Sequence, residues 1–381
     1  MKNVLEFLLN AGKLKEIPRT GFVWLGIKNP ETIAQHIFRV VFLNWVLGTR
    51  VTPKINLEHV IKISLVHDLC EVYAGDMTPY WGLLPKDEKK KIEMLKRWVR
   101  LPKEVKERRD KIKFKKEEKS LQRLIKDLPF KIRKEIESYW LEYERMISRE
   151  GRFSKQGDKV ETLLQALEYW GDTPDSPVIG WWEEVEDLVD QPVLREFLKK
   201  IEKRFYHKEN VNGELDFFLE LGKMKARPQK EWKDQKLRRY ETVAERSFLT
   251  ALLTWVLGEK AGLKMGSAIK MVFVYNVYEE IFSKKGNFDF VLDSNFKDET
   301  INLWDQVKKL SSFEGKFIKE AHWLIGYLQA LQYFKENPNF PILDWFKEGK
   351  GIITILDLLE LKNEMEEKFL PTKKRKILGI N

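Results

Sequence analysis

Side chains that could bind a divalent metal ion are concentrated between residues 31 and 76 of this 381-residue sequence. His36 lies within one predicted helix. The adjacent pair His67 and Asp68 lies within a second, and Asp158 follows much later in the chain. Imidazole and carboxylate groups carried by separate helices can converge on one ion inside a helix bundle. Two groups of each kind suit Mn²⁺, Co²⁺, Fe²⁺ or Zn²⁺ better than Ca²⁺, so the sequence predicts a site for one divalent transition-metal ion.

Two further acidic residues could take part in proton transfer at such a site. Glu71 lies four residues after His67, on the same face of a helix predicted from Leu57 to Ala74. Its carboxylate could exchange a proton with a metal-activated water or a leaving oxygen, or else hydrogen-bond to a ligand imidazole and orient it. Asp76, just beyond the predicted helix end, could orient the water, bind sugar hydroxyls, or be an ordinary loop aspartate.

The loop before His36 carries two residues that could contact a phosphorylated ligand. The guanidinium of Arg19 could bind a phosphate through two parallel hydrogen bonds. Trp24 could stack on a base. The alternatives are an exposed loop arginine and a tryptophan that covers the core.

Helical periodicity runs through almost the whole chain and predicts an all-α fold. We expect a helix over 3–11, then others over 32–47, 57–74, 132–149, 158–170 and 191–206, with Gly151 as a break in the chain. The apolar run VVFLNWVLG is short and indicates a buried helix.

The second half of the sequence repeats the first. GKLKEIPRTG…ETIAQHIF…NWVLG aligns without gaps onto GKMKARPQKE…ETVAERSF…TWVLG at an offset of 210 residues. VIKISLVHDLCE then matches AIKMVFVYNVYE, and LLQALEYW matches YLQALQYF. These matches predict an internal duplication, with a catalytic domain over 1–206, a linker over 207–214 and a degenerate domain over 215–381.

The candidate ligands are missing from the second copy, although its apolar residues persist. The replacements are His36 by Arg246, His67 by Tyr275, Asp68 by Asn276, Asp158 by His322 and Arg19 by Gln229, whereas Glu71 keeps a counterpart in Glu279. An arginine is a fixed cation that binds no metal, so the second half should not assemble the same site.

Charge and cysteine content bear on partners and location. Residues 86–134 hold 21 Lys and Arg against 9 Asp and Glu, in a chain of formal net charge +10. This basic segment could be a solvated helical face, or a surface for a phosphorylated ligand or nucleic acid. A single cysteine, Cys70, excludes an internal disulfide and, with no signal peptide or membrane span evident, favours a cytoplasmic protein.

The motifs E-T-x-A-x-H, V-H-D-L-x-E, G-D and D-K-V-E-x-x-x-Q-A together resemble the HD-domain metal-dependent phosphohydrolases, most closely their 5'-deoxynucleotidase branch. The resemblance to this family covers roughly residues 8–170, and a second, weaker match covers 218–334. It implies an HD helical bundle that acts on nucleoside 5'-monophosphates, usually as a homodimer, whose partner the fused second copy could replace. By the same resemblance the metal ligands are His36, His67, Asp68 and Asp158, the catalytic residues Glu71 and Asp76, and the nucleotide contacts Arg19 and Trp24.

Two alternatives stay open at this point. Another HD activity, such as a phosphodiesterase or an alarmone hydrolase, is one of them. HD enzymes that bind two metal ions need further ligands, and His59 and His207 are the only other histidines of the first half. A site for one ion is therefore favoured. A nucleic-acid-binding or regulatory protein that uses the basic segment is the other.

Overall fold

The protein, a computed structural model that describes residues 1–78, 80–97, 101–171, 178–211, 213–233, 235–282, 294–370 and 372–377, is all-α in these ranges, as predicted. Two isolated antiparallel bridges, Pro18 to Thr32 and Pro228 to Thr242, are the only extended pairing among them. The α-helices are α1 (Lys2–Ala11), α2 (Thr20–Trp24), α3 (Ile33–Gly48), α4 (Leu57–Val66), α5 (Glu71–Ala74), α6 (Glu88–Arg97), α7 (Lys103–Ile125), α8 (Phe130–Arg145), α9 (Arg149–Trp170), α10 (Val178–Leu188), α11 (Pro192–Phe205), α12 (Glu214–Lys223), α13 (Val243–Ala261), α14 (Met265–Val277), α15 (Ser294–Lys309), α16 (Phe313–Glu336), α17 (Ile342–Ile352), α18 (Leu356–Phe369) and α19 (Thr372–Ile377). Gly12–Lys15 and Lys230–Trp232 form 3₁₀ turns, and Tyr278–Phe282 forms a π-helical turn.

Helix α3 is the centre of the first half and is buried along its whole length. Its start is fixed by a reciprocal cap, in which the Thr32 hydroxyl accepts from the backbone N–H of Gln35 while the Gln35 side chain accepts from the N–H of Thr32. A helix that is buried on all sides belongs in a protein core, and this one contains the apolar VVFLNWVLG run. Across the described ranges, no helix has both the length and the apolar character needed to cross a bilayer.

The helix predicted from Leu57 to Ala74 is interrupted, and that prediction is wrong. Helix α4 ends at Val66, and α5 begins only at Glu71. Between them the backbone tightens into turns in which Leu69 N–H donates to Val66 O at 3.1 Å and Glu71 N–H donates to Asp68 O at 3.0 Å. In each of these hydrogen bonds the N–H lies three residues after the carbonyl, as in a 3₁₀ turn, instead of four residues after it as in an α-helix.

Gly151 does not break the chain, contrary to the expectation from sequence. It lies in the first turn of α9, where its N–H donates to the hydroxyl of the capping residue Ser148 at 2.9 Å. A Cβ at this glycine would lie 2.3 Å from the carbonyl oxygen of Glu142 on α8, so the residue is glycine because two helices approach closely there. Ser312 and Gly315 reproduce this arrangement at the start of α16.

The described residues form two compact units whose limits differ from the predicted domain limits. The first unit contains residues 11–225, and therefore α2 to α12. The second contains residues 1–10 and the described residues from 226 onward, and therefore α1 with α13 to α19. The opening helix of each sequence repeat thus belongs to the unit formed by the other repeat.

Helix α12 is bound into the first unit by its apolar face and by one glycine. Phe217 contacts Phe42 of α3, with ring centroids 6.2 Å apart, and Phe218 contacts Phe197 of α11 at 5.2 Å. A Cβ at Gly222 would lie 2.6 Å from a terminal nitrogen of Arg39, so α12 comes close to the side chains of α3. Sequence periodicity finds such an apolar face but not the elements that cover it.

We expect Phe218→Ala to lower the free energy of unfolding by about 3–5 kcal/mol, because the lost ring leaves a cavity where α12 meets α11. Thermal or denaturant unfolding of the full chain measures the change. Phe130, 67% exposed, supplies the control, since Phe130→Ala should change stability by no more than about 0.5 kcal/mol. Equal effects of the two substitutions would contradict the packing of α12 in the first unit.

Candidate active site

The structure brings the four candidate metal ligands together in the first unit. His36 Nε2 of α3 lies 2.9 Å from Asp158 Oδ1 of α9 and 3.4 Å from His67 Nε2 in the turn after α4. Asp68 Oδ2 lies 3.8 Å from His36 Nε2 and 3.3 Å from His67 Nε2. His36, His67 and Asp158 form a group of side chains that could hold a metal ion, and Asp68 lies next to this group.

Both imidazole rings are held by a hydrogen bond on the nitrogen that faces away from the other ligands. His67 Nδ1–H donates to the backbone oxygen of Ser64 at 2.7 Å. His36 Nδ1–H donates to Glu161 Oε2 at 2.5 Å. Such bonds fix the ring orientation and leave Nε2 of each histidine toward the shared centre.

The carboxylates around His36 favour a positive charge on its ring. Burial and Arg19 lower the pKa of His36, but the carboxylates of Glu161 and Asp158 outweigh them and raise it to about 9. The pKa of Asp158 falls well below its usual value, because its hydrogen bond to His36 and the neighbouring Lys159 outweigh the effect of burial. A proton on His36 therefore partly balances the cluster, and a divalent ion would replace that proton.

Arg19 and Asp76 lie beside the ligands and are tied to them. Arg19 Nη1 donates to Asp68 Oδ2 at 3.0 Å, and its Nη2 donates to Thr162 Oγ1 at 3.3 Å. Asp76 Oδ2 accepts from the backbone N–H of Thr20 at 2.6 Å and lies 4.0 Å from Arg19 Nε. Asp76 therefore holds the start of α2, and with it the guanidinium of Arg19, against the site.

Glu71 is the carboxyl group with the most unusual surroundings. It is only 3% exposed, and its Oε2 has no hydrogen-bond partner among the described residues. Burial raises the pKa of this carboxyl well above its usual value, and the nearby Asp68 and Asp76 raise it further. A buried carboxyl with a raised pKa that faces a cavity is suited to exchange a proton with a bound molecule.

A polar cavity that opens to solvent connects Arg19, His67, Asp68, Glu71, Asp76 and Asp158. Apart from Cys70, six of its lining residues are not among the predicted site residues: Lys113 and Glu117 of α7, Tyr143 and Glu144 of α8, and Lys155 and Lys159 of α9. Tyr143 donates its hydroxyl to Asp158 Oδ2 at 2.6 Å. Lys113 comes from the basic segment, so part of that segment faces the site.

Two residues near the ligands need separate mention. Trp24 ends α2 and is half-buried, and it is not among the described residues that line the cavity. Cys70 does contribute to the lining, but burial raises the pKa of its thiol well above its usual value. A protonated thiol is a poor metal ligand, and Cys70 is buried as a small core residue would be.

Comparison with known proteins places these residues in a family. The profile of the HD domain matches residues 11–190, which lie inside the first unit. The 5'-deoxynucleotidase HDDC2 of Homo sapiens is 30% identical over 211 residues, which cover 55% of this chain and 82% of that protein. The chain belongs to the HD-domain family. The protein of the same name from Mus musculus is 32% identical over 209 residues, 55% of this chain and 83% of its own length.

Among solved structures, a conserved hypothetical protein from Pyrococcus furiosus is 28% identical. It covers 52% of this chain and 98% of its own chain, with a TM-score of 0.37.

The residues that replace the HD ligands in the second unit form a different kind of contact. Arg246 is buried, and its Nε donates to Glu241 Oε2 at 2.6 Å. The rings of Tyr275 and His322 pack edge to face with centroids 5.1 Å apart. Burial and Arg246 lower the pKa of His322 to about 3, so this ring is neutral. Both candidate groups of metal-binding side chains among the described residues contain His36, and neither lies in the second unit.

The ion pair at the HD site becomes a neutral contact in the second unit. Where Arg19 meets Asp68 in the first unit, Gln229 Nε2 donates to Asn276 Oδ1 at 3.4 Å. Glu279, the counterpart of Glu71, is 49% exposed on its side chain and pairs with Lys230 at 2.9 Å. The shared glutamate therefore has a surface role in one repeat and a buried position in the other.

The raised pKa of Glu71 predicts that Glu71→Gln makes the metal-free protein more stable at neutral pH. A raised folded-state pKa means that stability is lost as the pH rises above the unfolded value of 4.5. Glutamine resembles the protonated acid and escapes this loss, so the gain should grow as the pH rises from about 4.5 and vanish below it. Thermal unfolding in a chelator at several pH values measures the difference, and a variant less stable at pH 7 would contradict the burial of this carboxyl.

Proposed function

We propose that the protein is a metal-dependent phosphomonoesterase that releases phosphate from nucleoside 5'-monophosphates, with deoxyribonucleotides as the favoured substrates. The observation that carries this proposal is the convergence of His36, His67, Asp68 and Asp158 at a cavity. All of them except His36 line this cavity, together with the buried carboxyl of Glu71. The names of the relatives, which are 5'-deoxynucleotidases, support the substrate class. The ion that we propose is one divalent transition-metal ion, Mn²⁺, Co²⁺, Fe²⁺ or Zn²⁺.

The side chains of the site divide the work of phosphate release. An ion held by the four ligands would lower the pKa of a water molecule and polarise a phosphoryl oxygen. Arg19 and Lys113 contribute positive charge to the cavity where the substrate phosphate enters. Water attacks phosphorus, the bond to the sugar 5'-oxygen breaks, and protonated Glu71 gives its proton to that oxygen.

Asp76 takes part through Arg19 in this scheme. Its carboxylate fixes the backbone of Thr20 and lies near the guanidinium, so it sets the direction from which Arg19 meets the phosphate. The proposal has three further parts. Trp24 contacts the nucleotide, and the second unit has no catalytic role. The second unit pairs with the first in place of a homodimer partner.

A screen of phosphate release from nucleoside 5'-monophosphates against each of the four metals tests the function. The wild type should release phosphate from deoxyribonucleotides with at least one of them. Release from a cyclic dinucleotide or an alarmone but not from monophosphates would favour another HD activity. Nucleic-acid binding without turnover would favour the regulatory alternative.

His67→Ala/Asp68→Ala should abolish the bound ion as well as turnover, because two of four donors are lost. Metal analysis of the purified protein should give about one ion per chain for the wild type and none for the variant. His207, 58% exposed on its side chain, supplies the control, and His207→Ala should keep the ion. Full metal content in the double variant would remove both residues from the ligand set.

Glu71→Gln should keep the metal and lower kcat by about a hundredfold or more, the usual contribution of a general acid or base. The amide keeps the shape of the side chain but cannot deliver a proton. Together with a gain in stability, this loss would show a carboxyl kept for chemistry at the expense of folding. Turnover at the wild-type rate would leave Glu71 a purely structural role.

A further inference from the structure

Lys225, the second residue after α12, is a buried lysine behind the candidate metal site. It is only 5% exposed, in the compact unit that contains the site. Its ammonium donates to the carboxylate of Glu31, to Glu161 Oε1 at 2.6 Å and to Gln165 Oε1 at 2.7 Å. A buried ammonium is costly unless it is fully paired, and these three acceptors match its three N–H bonds.

The carboxylates that bind Lys225 are the ones that face the ring of His36. Glu161 accepts from Lys225 on Oε1 and from His36 Nδ1–H on Oε2. Glu31 Oε1 lies 3.7 Å from the same ring nitrogen. The Lys225 ammonium therefore holds the Glu161 carboxylate, and that carboxylate holds the imidazole ring of His36.

The same geometry argues against a metal ion at a second cluster of donors. Glu31, His36 and Glu161 have donor atoms within 4.8 Å of one another and could by themselves hold an ion. The Lys225 ammonium is bonded to two of these three side chains and supplies the positive charge that they need. His36 is left with only its Nε2 available for a metal.

We propose that Lys225 is a positioning residue for the metal site. It holds Glu161, and through Glu161 the His36 ring, so that Nε2 points at the shared centre. The residue lies in GKMK, the second copy of the repeated GKLK motif, so the second sequence repeat supplies a side chain on which the metal site of the first depends. This inference rests on the proposed role of His36 as a ligand.

Three variants of the full-length protein test the proposal. Lys225→Met removes the ammonium and keeps much of the volume, and Lys225→Arg keeps a buried cation. Lys223→Met is the matched control, because Lys223 lies two residues earlier, is 67% exposed on its side chain, and pairs with Glu220 on the surface. The binding of Co²⁺, followed by its visible absorption spectrum, reports both the affinity and the geometry of the ligands.

Lys225→Met should bind Co²⁺ about 10–100-fold more weakly than the wild type, with an altered spectrum, as expected when the partner of a ligand histidine is disturbed. Lys225→Arg should recover most of the affinity, and Lys223→Met should match the wild type. Unchanged affinity and spectrum in Lys225→Met would overturn the proposal. A wild type that binds no Co²⁺ and releases no phosphate would instead overturn the proposed function.

A second variant covers the case in which Lys225→Met does not fold, since it leaves two carboxylates buried without their cation. Lys225→Met/Glu161→Gln removes one of these charges and should restore a cooperative melting transition. It should still bind Co²⁺ weakly, because the amide cannot orient His36 as the carboxylate does. Wild-type affinity in this folded double variant would show that neither side chain positions the ligand.

Discussion

The buried carboxylate of Glu161 is the interaction on which the first unit depends. It is fully buried, and it accepts from His36, from Lys225 and from Arg39 Nε at 2.7 Å. Arg39 also donates to Glu168 at 2.5 Å. A buried charge without such partners would cost several kcal/mol, so α3 and α9 must lie where these bonds can form. That placement is also what brings His36 and Asp158 together.

The candidate site was largely predictable because its chemistry requires rare residue types in a fixed order. His36, His67, Asp68 and Asp158 were named from their motifs and from their loss in the second repeat. The structure groups His36, His67 and Asp158, and it places Asp68 beside the two imidazoles. Glu161 stood in the quoted D-K-V-E motif, three residues after Asp158, and that spacing was the signal that could have singled it out. The sequence alone shows which side chains lie next to each other on one helix.

Lys113 and Lys225 could not be found in the same way. Both are lysines in a chain rich in lysine, and their importance comes from where the fold puts them. Lys225 meets Glu31 across 194 residues of sequence, a contact that no local pattern encodes. The end of α4 at Val66 was not predicted either. There the His67 side chain bonds to the backbone oxygen of Ser64, and the following backbone N–H groups bond to carbonyls three residues earlier.

The exchange of the opening helices has a consequence for the order in which the chain can fold during synthesis. Helix α1 leaves the ribosome before the other helices described here, yet the rest of its compact unit is encoded after residue 225. At about 5–20 residues per second, its buried side chains stay without partners for ten seconds or more. The first unit must likewise wait for α12 and Lys225. Neither half is complete when the ribosome passes from one repeat to the next, so translation of the second repeat is part of building the first.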